Sequence, residues 1–290
     1  MEKRISGTTT LLGLIGSPVG HSGSPAMHNY SFQKLGIDCA YMAFDIQVEQ
    51  VKEFLDAARL LHMRGFNVTM PCKTEVARLV DELSPAARII GASNTVVNED
   101  GKLIGHNTDG VGFVRNLEDH GVSIKDKKIV LMGGGGAGTA ILAQLALDGA
   151  SQIDVFNRKG TNFDKLCKKA ALMKEMVPAC KVNVCDLMDE QLLYEKTASC
   201  DILVNATNVG MKPREGESLI KDMSVYREDM VVAEIIYNPL ETKMMADAKA
   251  AGVKTIVGGK GMLLWQGEEA FRLFTGQNMP VDEVKELFFK

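Results

Sequence analysis

The 290-residue sequence predicts an α/β fold in two domains. Three observations carry that expectation. Short apolar runs closed by Gly, Pro, Asn or Asp alternate with stretches of helical spacing, the pattern of βαβ units. A glycine-rich turn, Gly133-Gly-Gly-Gly-Ala-Gly138, separates the apolar run at 129–132 from a helix-forming stretch at 139–147. Two last helical stretches, 261–274 and 281–288, have no sheet of their own to cover, so they are expected to return to the first domain. A chain of this length is long for one core and suits two medium domains.

Composition narrows the function classes. Hydrophobic content of 46% and charged content of 24% are ordinary for a soluble globular protein. The formal charge is only −4 and no Lys/Arg block stands out, so nucleic acid is not an expected partner; an anionic ligand would need local basic residues. Cys39, Cys72, Cys167, Cys180, Cys185 and Cys200 form no C-x-x-C, and the spacing of Cys180 and Cys185 does not suit zinc, so no metal is expected. The residues after Met-Glu-Lys-Arg lack a signal-peptide core, and no apolar run is long enough to span a membrane. The expected setting is reducing and cytoplasmic, with no membrane partner.

In the first domain, 11–15 reads as a strand closed by Gly16-Ser-Pro. Ser24 reads as the N-cap and Pro25 as the first residue of a helix to residue 35, which leaves Ser22 with no capping duty and available to a ligand. A second strand is expected at 40–44 and a helix over 48–61. The next strand, from Gly65, delivers Asn67, Thr69 and Lys73 at its C-terminal end, where open α/β sheets place ligands. Lys73 opens a helix expected over 74–83, although the positive end of a helix dipole disfavours a cation. It is either a solvated surface lysine or an acid–base lysine whose charged form is destabilised. Asn94 and Thr95 precede a short strand. Asn98-Glu-Asp-Gly-Lys reads as a hairpin turn, and the return strand delivers Asn107-Thr-Asp109 just before a helix over 111–120. Asp109 is a candidate cap or functional acid.

From residue 126 to 210 the pattern continues strand, helix, strand, helix, strand. Gly133, Gly135 and Gly138 satisfy G-x-G-x-x-G after a strand and before a helix, the dinucleotide fingerprint of a Rossmann-type domain. Gly133 permits the turn, Gly135 lets backbone approach a pyrophosphate, and Gly138 lets helix and strand pack closely. The strand at 151–156 ends in Asn157-Arg-Lys, with no acid where one would select the unphosphorylated ribose. Arg158 and Lys159 suit a ribose 2′-phosphate instead, while Thr161 or Asn162 reads as a helix cap. Asn205 and Thr207 end a later strand. Glu234 interrupts an apolar run at 230–236 that ends in Tyr237-Asn-Pro. A helix over 241–251 and a strand at 255–257 closed by Gly258-Gly259 follow. The apolar stripe Met262, Leu263, Trp265, Ala270 and Phe271 reads as core, with Gln266 its polar exception. The expected boundaries are 1–108 for the first domain, completed by 256–290, and 109–255 for the second.

Gly20-His-Ser-Gly-Ser-Pro-Ala-Met-His-Asn, Asn67-Val-Thr-Met-Pro-Cys-Lys, Gly91-Ala-Ser-Asn-Thr-Val-Val-Asn, Asn107-Thr-Asp-Gly, the glycine loop, Asn205-Ala-Thr, Tyr237-Asn-Pro and Gln266-Gly together resemble the shikimate dehydrogenase family, nearly end to end. Tyr41-Met-Ala-Phe, Met211-Lys-Pro, Glu217-Ser-Leu-Ile and Gly261-Met-Leu-Leu-Trp-Gln-Gly look closest to its quinate/shikimate branch. The resemblance implies substrate in a cleft between two domains. It further implies reversible hydride transfer between a nicotinamide cofactor and a cyclic hydroxy acid, in the chorismate route of aromatic amino acid biosynthesis. It implies Lys73 and Asp109 as the catalytic pair, Ser22 and Ser24 on the substrate carboxylate, and Thr69, Asn94 and Gln266 on ring hydroxyls, with Tyr237 near carboxylate and nicotinamide. Cofactor contacts are implied for Gly133, Gly134, Gly135, Gly136, Ala137, Gly138, Asn157, Arg158, Lys159, Thr207 and Gly259. The family pattern admits NADP or NAD and a homodimer; Arg158 and Lys159 place NADP ahead.

Four departures from the pattern stand out. Cys72 replaces a polar neighbour of the lysine. Gly23 replaces a bulkier residue and should loosen its loop, Gly160 stands where the branch often has an acid, and Gly134 makes four consecutive glycines and a more pliable turn. The alternatives to shikimate oxidation and reduction are a non-catalytic nucleotide-binding module and an amino-dehydrogenase on a related ring.

Overall fold

The computed structural model describes residues 5–289, and contacts divide the chain into two units. One runs to Thr108 and takes in Gln266 onward; the other is Asp109–Trp265.

The first unit holds β1 (Thr10–Gly16), α1 (Ser24–Leu35), β2 (Cys39–Asp45), α2 (Val51–Leu60), β3 (Gly65–Val68), α3 (Lys73–Leu79), β4 (Glu82–Leu83), α4 (Pro85–Ile90), β5 (Thr95–Glu99) and β6 (Lys102–His106). Its six strands form a mixed sheet in the order β2-β1-β3-β5-β6-β4. The expected hairpin is β5–β6. Asp100 (φ 52°) and Gly101 (φ 94°) fill a two-residue turn whose positive φ values match the twist of the flanking strands. Ile15, Phe66, Val68 and Val96 from the strands pack with Val51, Leu55 and Val76 from the helices in one core.

The second unit holds α5 (Asp109–Asp119), β7 (Lys128–Met132), α6 (Gly136–Leu147), β8 (Gln152–Asn157), α7 (Thr161–Met176), β9 (Lys181–Asp186), α8 (Glu190–Ser199), β10 (Ile202–Asn205), β11 (Val231–Glu234), α9 (Lys243–Ala250) and β12 (Thr255–Val257). The sheet order is β12-β11-β10-β7-β8-β9, with every pair parallel. This is the doubly wound Rossmann order, and it reverses direction between β7 and β10. Helix α10 (Lys260–Thr275) carries the chain out of this unit, and α11 (Val281–Phe288) follows. Among the described residues no helix is long and apolar enough to cross a membrane.

The C-terminal segment joins the first unit through polar and aromatic contacts. The Arg64 guanidinium donates to the carbonyls of Asn98 and Phe274, each at 2.9 Å. Phe271 stacks on Phe32, and His28 stacks on Tyr41 at 4.4 Å. Complete burial holds His28 neutral, with its pKa lowered to about 3.

Several local expectations are corrected. Gly23, not Ser24, is the N-cap of α1, and the side chain that accepts there is that of Ser22, whose Oγ receives the Ser24 N–H at 3.2 Å. Likewise Gly160, not Thr161 or Asn162, caps α7. Asp109 is the first residue of α5 rather than its flank. Helix α3 stops at Leu79, because Glu82 and Leu83 leave it to pair with β6 as an edge strand. Helices α4 and α8 are additional; Ser84 and Asp189 cap them by accepting from Ala87 and Leu192. In α10, Met262, Leu264, Ala270 and Phe271 are buried, whereas Trp265 is only half-buried and Leu263 is exposed.

Replacing Arg64 with Ala leaves buried carbonyls without their charged donor. The expected loss is about 2 kcal/mol of unfolding free energy, read as a lower midpoint in urea denaturation.

Candidate active site

In the second unit the glycine loop begins where β7 meets the sheet reversal. The Gly133 N–H donates to Phe156 O at 2.8 Å, and its φ of +105° excludes most side chains. A methyl on Gly133 would lie 2.6 Å from Ala206 O, and one on Gly138 would lie 2.0 Å from Gly133 O. Protein packing therefore demands both glycines. Gly135 and Gly136 differ: a methyl on either would meet nothing within 4 Å. Their open side faces outward at the start of α6, where helix amides have no intrahelical partner. This surface fits a pyrophosphate. Gly134 is less pliable than the four-glycine run suggests, since its N–H donates to Asn157 Oδ1 at 3.1 Å and its Cα faces Leu166 of α7. Ala137 is half-buried in the first turn of α6.

Beyond the loop, Asn157, Arg158, Lys159, Gly160, Thr161 and Asn162 line a recess of about 400 Å³. Arg158 is exposed, and Lys159 Nζ stands 3.3 Å from Asp186 Oδ2 at the end of β9. Gly160 has φ +134°, so an acidic side chain there would be strained despite the open space around it.

On the other side of the reversal a buried network ties three expected residues together. Asn205 Oδ1 accepts from Thr207 Oγ1 at 2.7 Å, and Asn205 Nδ2 donates to Glu234 Oε2 at 2.9 Å. Glu234 Oε1 accepts the amides of Ile235 and Ile236, and its Oε2 accepts from Thr242. The Ile235–Ile236 backbone in turn packs on Gly259, where a methyl would lie 2.2 Å from Ile235 C. Glu234 thus positions Thr207, Gly259 and the chain leading to Tyr237, which is 53% exposed. In the sequence Glu234 stands only as a break in an apolar run; a lone carboxylate in a buried parallel strand is the signal of a network. Burial raises its pKa to about 7, against which its four donors pull. Asp109 heads α5, which lies close on α6 because Gly110 faces the Ala140 carbonyl.

In the first unit the loops after β1 and β3 are laced together. Thr69 N–H donates to Ile15 O at 2.8 Å, Ser17 N–H donates to Met70 O at 3.0 Å, and Gly16 faces Thr69. Lys73 opens α3 half-buried, and its carbonyl accepts Ser93 N–H at 3.0 Å, which brings it beside Asn94. The Asn94 carboxamide is locked: Oδ1 accepts Thr108 N–H at 2.8 Å and Thr95 Oγ1 at 3.0 Å, and Nδ2 donates to Thr108 Oγ1. Behind it Asn67 donates to Thr95 Oγ1 at 3.0 Å and accepts from the Tyr41 hydroxyl at 2.7 Å. Asn67 therefore belongs to the buried lattice rather than to the outward series with Thr69 and Lys73. Cys72 turns into the core, its thiol donating to Ile46 O, so its side chain leaves the lysine alone. Gly23 meets nothing within 4 Å at φ −78°, a position any residue could take. Gln266 is half-buried, and the adjacent Gly267 lies against Met27 of α1. Among the described residues no group of three or more His, Cys, Asp or Glu could hold a metal ion.

A doubly wound unit with an open glycine cradle, joined to a second α/β unit, defines a two-domain protein of the dinucleotide-binding class. Comparison narrows the class. Residues 14–96 match the shikimate dehydrogenase substrate binding domain, 116–235 match shikimate/quinate 5-dehydrogenase, and 259–287 match the shikimate 5′-dehydrogenase C-terminal domain. A Streptococcus uberis protein named shikimate dehydrogenase (NADP(+)) is 48% identical over 291 residues, covering 100% of this chain and 98% of its own length. Shikimate 5-dehydrogenase from Listeria monocytogenes, solved with shikimate and NAD, superposes with a TM-score of 0.94 at 42% identity, over 100% of this chain and 99% of that one. Quinate dehydrogenase from Corynebacterium glutamicum, solved with NAD, superposes at 0.83 with 33% identity, over 97% and 99%. The chain belongs to the shikimate dehydrogenase family.

Three outcomes are expected from the geometry. Gly138→Ala should lower the unfolding free energy by about 1–3 kcal/mol through overpacking. Gly135→Ala should leave stability within about 0.5 kcal/mol yet weaken NADPH binding about tenfold by displacing a phosphate contact; thermal denaturation and fluorescence titration separate the two. The Glu234 carboxyl titrates higher in the folded chain than its ordinary value of 4.5. Between about pH 4.5 and 7 the native state therefore holds the proton that the unfolded chain releases, so this group's contribution to stability is fullest at the acid end. It declines as pH rises through 7, by about 3 kcal/mol in all. Glu234→Gln, which has no proton to lose, should flatten that part of the urea-midpoint profile.

Proposed function

We propose that the chain is an NADP-linked shikimate dehydrogenase that interconverts shikimate and 3-dehydroshikimate, with NAD as a second cofactor and quinate as a second substrate. The observation that carries it is the end-to-end likeness to the Streptococcus protein, combined with a glycine cradle open only at Gly135 and Gly136 and a basic recess beside it. The Listeria structure with NAD and the Corynebacterium quinate enzyme support the wider substrate and cofactor range. Six free thiols support a reducing, cytoplasmic setting.

When bound, the nicotinamide takes up or returns the hydride at the reacting carbon. Lys73 is assigned the proton: its neutral amine takes it from the hydroxyl during oxidation, and its ammonium polarises the ketone and returns it during reduction. Asp109 supplies the negative charge that balances the ammonium and accepts a hydrogen bond from a ring hydroxyl. Ser22 and Ser24 hold the substrate carboxylate. Because Ser22 Oγ accepts the Ser24 amide, its own hydroxyl proton points to a different acceptor. Thr69, Asn94 and Gln266 take ring hydroxyls, and Tyr237 takes the carboxylate side. The lock on Asn94 removes the need to order its carboxamide on binding.

Initial rates with shikimate and quinate against NADP and NAD test the assignment. Turnover should be fastest with shikimate and NADP, and absence of turnover with every pair would reject the reading. Lys73→Ala should lower kcat by about 10²–10⁴ with the circular dichroism spectrum unchanged; an unchanged rate would remove Lys73 from the chemistry.

A further inference from the structure

Lys159, one of the two cations of the recess, is already engaged. Its Nζ lies 3.3 Å from Asp186 Oδ2. Asp186 ends β9 in register with Asn157 at the end of β8, so its carboxylate stands one strand over from the recess. It is also the better anchored partner. Its Oδ1 accepts the Met188 N–H at 3.0 Å, Leu187 N–H donates to Asn157 O at 3.0 Å, and its side chain is 23% exposed against 75% for Lys159. The two charges cancel, and Arg158 remains as the uncompensated cation lining the recess. Among the described residues Arg158 has no ion-pair partner.

We propose that Asp186 is a cofactor-specificity residue, restraining Lys159 and opposing a ribose 2′-phosphate so that NAD stays usable beside NADP. A 2′-phosphate brings close to two negative charges and must compete with Asp186 for the Lys159 ammonium. A 2′-hydroxyl brings a donor, which a carboxylate accepts. Gly160 has no side chain with which to do either. The proposal rests on the NADP and NAD reading above.

Asp186→Asn tests it, since the carboxamide keeps the oxygen that accepts Met188 N–H. The expected result is a KM for NADP about three- to fivefold lower, as for a screened charge near a surface, with a KM for NAD unchanged or higher and kcat unchanged with both. The shift in preference should be larger at about 20 mM salt than at about 500 mM, because the Debye length shortens between them. Asp186→Ser, which also retains an acceptor, should shift preference in the same direction and serves if the Asn variant folds poorly. If preference stays fixed in these variants while Arg158→Ala sharply raises the KM for NADP, the role of Asp186 is overturned and the cofactor reading stands. If Arg158→Ala leaves NADP kinetics untouched, the recess is not the 2′-phosphate site and the role of Asp186 falls with it, while the cofactor reading is decided by the initial rates with NADP and NAD.

Discussion

The contact between Gly138 and the carbonyl of Gly133 leaves no room for a methyl group, and the second unit is organised by that fact. It fixes how closely α6 approaches the end of β7. Gly133 is itself hemmed in by the Ala206 carbonyl just beyond β10, so the loop is held at the one place where the sheet order reverses. With both ends pinned, the middle of the loop has one exposed side, and Gly135 and Gly136 occupy it. Close packing at two glycines creates the open surface at the other two.

Each unit then backs its strand ends with a buried polar lattice. In the first, Thr95 and Thr108 hold the Asn94 carboxamide, with Asn67 bonded to Thr95 and Tyr41 to Asn67 behind them; in the second, Asn205, Thr242 and two backbone amides surround the Glu234 carboxylate. Unmade hydrogen bonds at buried sites cost more than made ones gain, so such lattices admit few geometries. That selectivity is useful at a binding surface. Asn94 and Thr207 are held in place without help from a ligand, by residues that need touch no ligand themselves.

Features governed by short-range chemistry were legible in the sequence. The Asp100-Gly101 turn, the glycine fingerprint and the apolar strands of the parallel sheet read correctly because backbone sterics and burial act locally at each. Capping read poorly. Ser24 and Thr161 have the right chemistry for N-caps, but the chain bends one residue earlier, at Gly23 and Gly160, and both positions fall inside their helices. Helix α3 read too long because Glu82 and Leu83 suit a helix by propensity and are captured by β6 instead. Cys72 shows the same limit. Adjacent in sequence to Lys73, it turns into the core, since side chains at the start of a helix diverge by about 100° per residue.

Short local patterns in the chain specify the alternating strands and helices of the two α/β units, the position of the glycine loop, the basic pair Arg158–Lys159 and the motifs that mark the family, because each pattern is a run of neighbouring residues. Tertiary structure alone decided which glycines are steric and which are open, that Glu234 gathers Thr207, Gly259 and the approach to Tyr237, and that Lys159 meets Asp186 from the neighbouring strand. Those relations join residues far apart along the chain. Strand register and helix packing bring them within hydrogen-bond reach, and no local pattern encodes that distance.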